Sequence, residues 1–248
     1  MGAVAAAIVI AASMGGAPMA GRYRHWKRER ALRQAAGFFD RGDPADGRLA
    51  IEVAFGALPG EIDPAEAASR LAGHGEALQA LMGLYRDRDD AAGMLAAAAA
   101  LRRSDPASRE FQYNWALLTV LTAPAGDWGE AGRTLEALHS RDAFDPYLAT
   151  GYAFALARAG RAREALAAAE GISRADRDDL RRLPYLALIF GLNGRVGEVA
   201  RIQKLSAGGA YLPEEKRLFD EALVEAGRNR AQAGNAVSAA QQPSSPVP

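Results

Sequence analysis

The sequence predicts an all-α protein in which about five antiparallel helix pairs stack as a solenoid. Alanine, the strongest helix former, is abundant among the 248 residues, whereas Val, Ile and Thr, which favour strands, are sparse. Gly126, Gly160 and Gly194 each separate two segments with apolar residues at helical spacing, and they lie 34 residues apart. Each pair is too short to bury its apolar face alone, so we expect neighbouring pairs to stack.

The clearest pair covers residues 147–170, where a helix, a turn at Gly160 and a second helix follow one another. Each of the five predicted pairs has one such turn. In chain order, the turns lie near Gly42, Asp89, Gly126, Gly160 and Gly194. The first two turns are 47 residues apart, which leaves room for an extra short helix at 64–72.

Three Asp-Pro dipeptides predict helix starts, at Asp63-Pro64, Asp105-Pro106 and Asp145-Pro146. In each, the Asp carboxylate can accept from free N–H groups, and Pro suits the first helical turn. Residues 213–227 follow the last pair and predict an amphipathic capping helix, with Glu214, Glu215 and Lys216 facing outward. Residues 228–248 are polar, so we expect a disordered tail.

The spacing of these pairs resembles the tetratricopeptide repeat, a helix-turn-helix unit of about 34 residues. Trp115 matches the aromatic position early in that family's first helix, and Ala131 and Ala165 match the small residue of its second helix. Val199 departs from the pattern where the last pair should carry Ala. The resemblance covers roughly residues 28–210. It implies a right-handed solenoid, completed by the capping helix to span residues 28–227, whose concave groove binds a protein or peptide.

Residues 2–20 carry no charged side chain, and basic residues are concentrated in residues 22–33. A helix of that length, at about 1.5 Å per residue, just crosses a hydrocarbon core of about 30 Å. We therefore predict a single transmembrane anchor at 1–21 and a basic juxtamembrane segment at 22–33. The positive-inside rule then places the helical domain in the cytoplasm. A cleaved signal peptide, which would make the protein periplasmic, and a soluble alanine-rich start remain alternatives.

The composition and the spacing of reactive residues argue against several functions. Thirty basic residues balance thirty acidic ones, which disfavours a general nucleic-acid binder. There is no cysteine, and His25, His74 and His139 do not have the spacing of metal ligands. We find no nucleophile with a base and an orienting group. The sequence therefore predicts a noncatalytic protein with no cofactor, no metal and no evident small-molecule substrate.

The resemblance implies that residues on the first helix of each pair line the groove. The candidate partner-binding residues are Gln79, Arg86, Tyr113, Tyr147, Thr150, Phe154, Arg158 and Arg181, with Val120 and Leu188 between them. Tyr and Arg often carry the binding energy of protein interfaces. We therefore expect a membrane-anchored scaffold that binds a protein or peptide. The alternative is a structural subunit or assembly factor of a bacterial envelope complex, using its outer face or its capping helix.

Overall fold

The computed structural model describes residues 16–56, 63–124 and 129–240. These ranges contain thirteen α-helices and no strand, which confirms the prediction of an all-α protein. The helices are, in chain order, α1 Gly16–Asp40, α2 Pro44–Gly56, α3 Pro64–Arg70, α4 Gly75–Asp87, α5 Ala91–Ser104, α6 Arg109–Thr122, α7 Gly129–Arg141, α8 Pro146–Arg158, α9 Ala162–Glu170, α10 Arg174–Arg177, α11 Leu183–Leu192, α12 Val196–Ser206 and α13 Pro213–Ala240.

The chain divides into two compact units. The first comprises Met1–Arg88 with Ala92–Asp105, and the second comprises Asp89–Ala91 with Pro106–Pro248. In the first unit, α1 packs along α2 and also contacts α3 and α4. In the second unit, α6 packs on α7, α8 packs on α7 and α9, and α11 packs on α8, α9, α12 and α13.

Four of the five predicted turns contain a residue in the left-handed backbone region. The backbone angle φ is +77° at Gly42, +56° at Asp89, +77° at Gly160 and +68° at Gly194. This conformation ends helices and favours glycine, while Asp is among the few other residues that adopt it readily. These four turn positions are therefore confirmed, whereas the turn at Gly126 lies outside the described residues.

Two of the three predicted Asp-Pro helix starts are confirmed. Asp63 Oδ1 accepts from the Ala65 amide at 3.0 Å, and Asp145 Oδ1 accepts from the Tyr147 amide at 2.8 Å. The extra short helix is α3. The start at Asp105-Pro106 is wrong, because α6 begins three residues later, where Ser108 Oγ accepts from the Phe111 amide at 3.3 Å.

Helix α11 is buried on every side. All nine residues from Leu183 to Gly191 are buried, and they form the core with side chains of α8, α9, α12 and α13. A helix that is apolar around its whole circumference has to be enclosed by other elements. The second unit is therefore arranged around α11.

Helix α13 is longer than predicted. It continues to Ala240 rather than ending at Gly227, so it includes part of the segment for which we expected disorder. Asn229 explains part of this extension, because its Nδ2 donates to the carbonyl oxygens of Gly191 at 3.2 Å and Leu192 at 3.1 Å. The bond to Leu192 satisfies a carbonyl that the end of α11 leaves without a helical partner, and the bond to Gly191 adds to the one that this carbonyl accepts from the Gly194 amide.

The predicted anchor at 1–21 falls mostly on residues 1–15, which lie outside the described residues. Within the described part of the chain, no helix has the length and apolar character needed to cross a membrane. The predicted juxtamembrane segment, residues 22–33, is part of α1.

Gly191 marks a close approach between α11 and α13. A Cβ atom at this position would lie 2.5 Å from the carbonyl oxygen and 2.7 Å from the Cα of Ala222. We expect Gly191→Ala to lower the free energy of unfolding by about 1–3 kcal/mol, because the two backbones must separate. Urea denaturation of the full chain measures this change.

Gly132→Ala on α7 is the matched control, since a Cβ there would meet nothing within 4 Å. It should raise the free energy of unfolding by about 0.5–1 kcal/mol, because Ala favours helix more than Gly does. Equal stability of the two variants would contradict the close packing of α11 against α13.

Candidate partner-binding surfaces

The eight candidate partner-binding residues are divided between the two units. Gln79 and Arg86 lie on α4 in the first unit, and both are exposed. The other six lie in the second unit, on α6, on α8 or just before α11, and their exposure varies. Thr150 and Phe154 are buried, Tyr113, Tyr147 and Arg158 are half-buried, and Arg181 is exposed.

Phe154 and Thr150 belong to the core of the second unit. Phe154 is 0% exposed, and its ring centroid lies 4.9 Å from that of Tyr185 on α11. Thr150 Oγ1 donates to the carbonyl oxygen of Pro146 at 2.7 Å. Val120 and Leu188 are buried as well. Phe154 and Thr150 fill space between helices, so they present no surface to a partner.

Helix α13 packs against α11 and reaches α8 through an ion pair. Arg158 Nη1 on α8 lies 3.2 Å from Glu221 Oε2 on α13, and the Tyr185 hydroxyl donates to Glu215 Oε1 at 2.8 Å. Contacts from α13 also reach α6. Arg158, a predicted partner-binding residue, is thus engaged by the chain's own last helix.

Glu215 is buried, although the sequence analysis placed it facing outward. It is 5% exposed, and its Oε2 accepts from the Leu212 amide at 3.0 Å. Leu212 precedes the first residue of α13, so Glu215 occupies the third helical position and reaches back to the start of the helix, as in a capping box. A Glu two residues after Pro213 was the sequence signal for this role.

Tyr147 lies beside two arginines. Its ring centroid is 4.4 Å from the Arg182 guanidinium carbon and 5.0 Å from that of Arg181, and it meets Tyr113 edge-on at 6.4 Å. Such contacts hold a cation over the negative face of the ring. The structure therefore brings together Tyr113, Tyr147 and Arg181, and it adds Arg182, which the sequence analysis did not select.

The two arginines are already paired with acidic and carbonyl oxygens. Arg181 Nη2 lies 3.0 Å from Asp179 Oδ2, and Arg182 Nη1 lies 3.3 Å from the same oxygen. Arg182 Nη1 also donates to the Asp176 carbonyl at 2.6 Å. The hydrogen bond from Arg181 lowers the pKa of Asp179 below its usual range. Both guanidinium groups are therefore engaged within the chain, although Asp179 offsets only one of their two positive charges.

An open groove runs beside α4 in the first unit. It encloses about 630 Å³, and its lining residues come from α1, α2 and α4: Phe39, Pro44, Arg48, Ile51, Glu52, Glu76, Gln79, Ala80, Gly83, Leu84 and Asp87. We call it the α4 groove. Three carboxylates and one guanidinium line it, together with apolar side chains. Gln79 is the one candidate partner-binding residue in its lining, and Arg86 is not part of it.

A second groove lies between α8, α11 and α13 in the second unit. It encloses about 490 Å³ and is lined by Ala157, Arg158, Leu188, Leu192, Asp220, Glu221, Val224 and Glu225. We call it the α13 groove. Val224 is 60% exposed there, while the Arg158 side chain is held by Glu221.

Among the described residues, no group of three or more His, Asp or Glu side chains is placed to hold a metal ion. His74 Nδ1 lies 2.9 Å from Asp40 Oδ1, and the ring of His139 stacks on Tyr152 at 4.9 Å. Comparison with known proteins gives no match, whether to a family model, to a curated protein or to a solved structure.

Burial of Tyr113 should make the second unit less stable at alkaline pH. Its phenol lies against α8, where a Cβ at Gly151 would be 2.6 Å from the ring, and burial raises its pKa above the ordinary value. An unfolded tyrosine ionises near pH 10, so above that pH the unfolded chain releases a proton that folded Tyr113 keeps. The free energy of unfolding must therefore fall as pH rises beyond about 10.

Tyr113→Phe should make this fall shallower, by up to about 1.4 kcal/mol per pH unit. Tyr211, whose pKa burial also raises, should preserve part of the slope. Urea denaturation from pH 8 to pH 11 measures the effect, with pH 8 as the reference. An unchanged slope in the variant would show that Tyr113 ionises equally in both states.

Proposed function

We propose that this protein is a noncatalytic interaction module that holds a protein or peptide segment in the α4 groove. The observation that carries the proposal is an open groove that contains Gln79, whereas the candidate residues of the second unit are buried or paired with side chains of the same chain. A volume of about 630 Å³ falls in the range of ligand clefts, about 300–1,000 Å³.

The lining of the α4 groove favours a cationic, partly apolar ligand. Glu52, Glu76 and Asp87 outnumber the single cation Arg48, and apolar side chains such as Leu84 lie among them. Opposite charges guide encounter and set specificity, while the apolar contacts supply affinity. The expected ligand is a peptide in which Lys or Arg residues flank apolar ones.

The helix pairs are proposed to be tetratricopeptide-like repeats that form a right-handed solenoid. Two observations support this interpretation. Gly160 and Gly194, 34 residues apart, both have positive φ. Ala131, Ala165 and Val199, at the matching position of three successive second helices, are each at most 1% exposed, as close helix approach requires.

Residues 1–21 are proposed to anchor the module in a membrane, with the helical domain in the cytoplasm. The support is the uncharged run at 2–20 followed by the basic residues of 22–33. A periplasmic location is the alternative. Retention of the full chain in membranes washed with alkaline carbonate is the expected result, and release into the supernatant would contradict the anchor.

The α13 groove supports a second candidate function, a structural subunit that binds through its capping helix. Asp220, Glu221 and Glu225 lie beside Val224 and Leu192, so this groove also combines carboxylates with apolar side chains. The two functions differ in the unit that carries the interface, and paired substitutions can therefore separate them.

The test uses a short fluorescein-labelled helical peptide of Lys and Leu, with binding to the full chain followed by fluorescence polarisation. We expect Glu76→Gln with Asp87→Asn to raise its Kd about 2- to 30-fold, since each exposed charge pair contributes about 0.2–1 kcal/mol. Gly83→Trp, at a position where a Cβ meets nothing within 4 Å, should block the groove.

Asp220→Asn with Glu225→Gln removes the same charge from the α13 groove and serves as the matched control. Its Kd should equal that of the unmodified chain. If the control variant loses affinity and the α4 variants retain it, the capping-helix function is supported instead and the proposed site is wrong.

A further inference from the structure

Helix α1 presents a cationic stripe that neither groove uses. Trp26, Lys27, Arg30 and Arg33 are all exposed, and their spacing places them on one face of the helix. The opposite face carries the buried residues, Leu32, Ala35 and Ala36. We call the four exposed residues the α1 stripe. The α1 stripe faces solvent because the opposite, buried face of α1 packs against the rest of the first unit.

The acidic residue that neighbours the α1 stripe in the sequence forms an ion pair with α3. Glu29 is the only acid in residues 22–33, and its Oε1 lies 2.5 Å from Arg70 Nη2 on α3. Within the described residues, no carboxylate lies within ion-pair distance of Arg30 or Arg33. The Arg30 guanidinium instead lies 5.5 Å from the centroid of the Trp26 ring. The stripe therefore exposes positive charge beside an aromatic ring.

Trp26 distinguishes this stripe from an ordinary solvated face. It is 46% exposed, and its indole combines an apolar body with one N–H donor. Such side chains concentrate at the boundary between water and lipid. Arginine and lysine beside it are attracted to the negative potential of acidic lipids. An exposed tryptophan beside cations is typical of a segment at the boundary between water and an acidic membrane.

The position of the stripe in the chain agrees with such a role. Helix α1 begins at Gly16, so its backbone is continuous from the end of the uncharged run at 2–20 into the stripe. Trp26 lies six residues beyond Ala20, about 9 Å along a helix. The headgroup layer on each side of a bilayer is about 5–8 Å thick. An anchored chain would thus bring Trp26 to the outer edge of that layer.

We propose that the α1 stripe binds the headgroups of anionic phospholipids, with Arg30, Arg33 and Lys27 contacting the phosphates and Trp26 entering the interface. This binding is independent of the α4 groove, and it does not require residues 2–20 to be inserted. Its effect is to hold the first unit against an acidic membrane surface.

The experiment uses the full chain with Trp115→Phe and Trp128→Phe, so that Trp26 is the single fluorophore. It is mixed with vesicles of neutral phosphatidylcholine, or of phosphatidylcholine with one quarter phosphatidylglycerol. We expect a blue shift of Trp26 emission and weaker quenching by acrylamide on the anionic vesicles, and loss of both in high salt. Identical emission and quenching on the two kinds of vesicle would overturn the proposal.

Arg30→Gln with Arg33→Gln should lower the lipid-dependent response roughly 10- to 30-fold, measured as the phosphatidylglycerol concentration at half-maximal shift. Arg163→Gln with Arg174→Gln, two exposed arginines of the second unit, makes the same change in net charge and should leave the response unchanged. A loss in both variants would show attraction by net charge alone. If heparin shifts the emission as much as the vesicles do, a soluble polyanion is the better ligand and the lipid assignment fails.

A flotation experiment tests the proposed anchor separately from the α1 stripe. An inserted anchor carries the full chain to the top of a flotation gradient with neutral vesicles, whatever the residues at positions 30 and 33. Absence of the chain from that fraction contradicts the anchor, while the difference between neutral and anionic vesicles still reports on the α1 stripe.

Discussion

The need to enclose α11 is the constraint on which the second unit depends. Every residue from Leu183 to Gly191 is buried, so water must be excluded from all sides of this helix. Helices α8, α9 and α12 cover part of its surface, and α13 covers the remainder. The glycine at position 191 lets α13 approach closely, and Asn229 satisfies the carbonyls where α11 ends. Helix α13 is accordingly a structural part of the unit.

Because its neighbours enclose α11, only part of the second unit's surface is open to a partner. Helix α13 packs on α11 and reaches α8 through an ion pair, with Glu215 bonded to Tyr185 and Glu221 beside Arg158. Phe154 is 0% exposed and packs against Tyr185, so it presents no surface to a partner. The first unit has an open groove beside α4 and an exposed cationic face on α1, and the second unit has the α13 groove. We therefore propose the main interface in the first unit, with the α13 groove as the alternative.

Local features were predictable from the sequence where backbone chemistry determines them. The turns at Gly160 and Gly194 require a positive φ, and the starts at Asp63 and Asp145 require a side-chain acceptor. Tertiary features were not. Helical spacing marks Phe154 as apolar but does not say which helix will cover it. The end of α13 was misplaced at Gly227, because the bonds that extend it come from α11, distant in sequence. The wholly apolar run of α11 indicates an enclosed helix, and a Glu at the third position of α13 indicates a capping box.

We propose that a partner contacts the α4 groove, while α13 lies against α11 and pairs with Arg158 on α8. Site-specific photocrosslinking tests it most directly, with a photoreactive amino acid placed in the full chain at Gln79 or at Arg158 and activated in cell membranes. We expect a crosslinked partner at position 79, and at position 158 a crosslink within the chain to α13. A partner captured at position 158 and none at position 79 would contradict it.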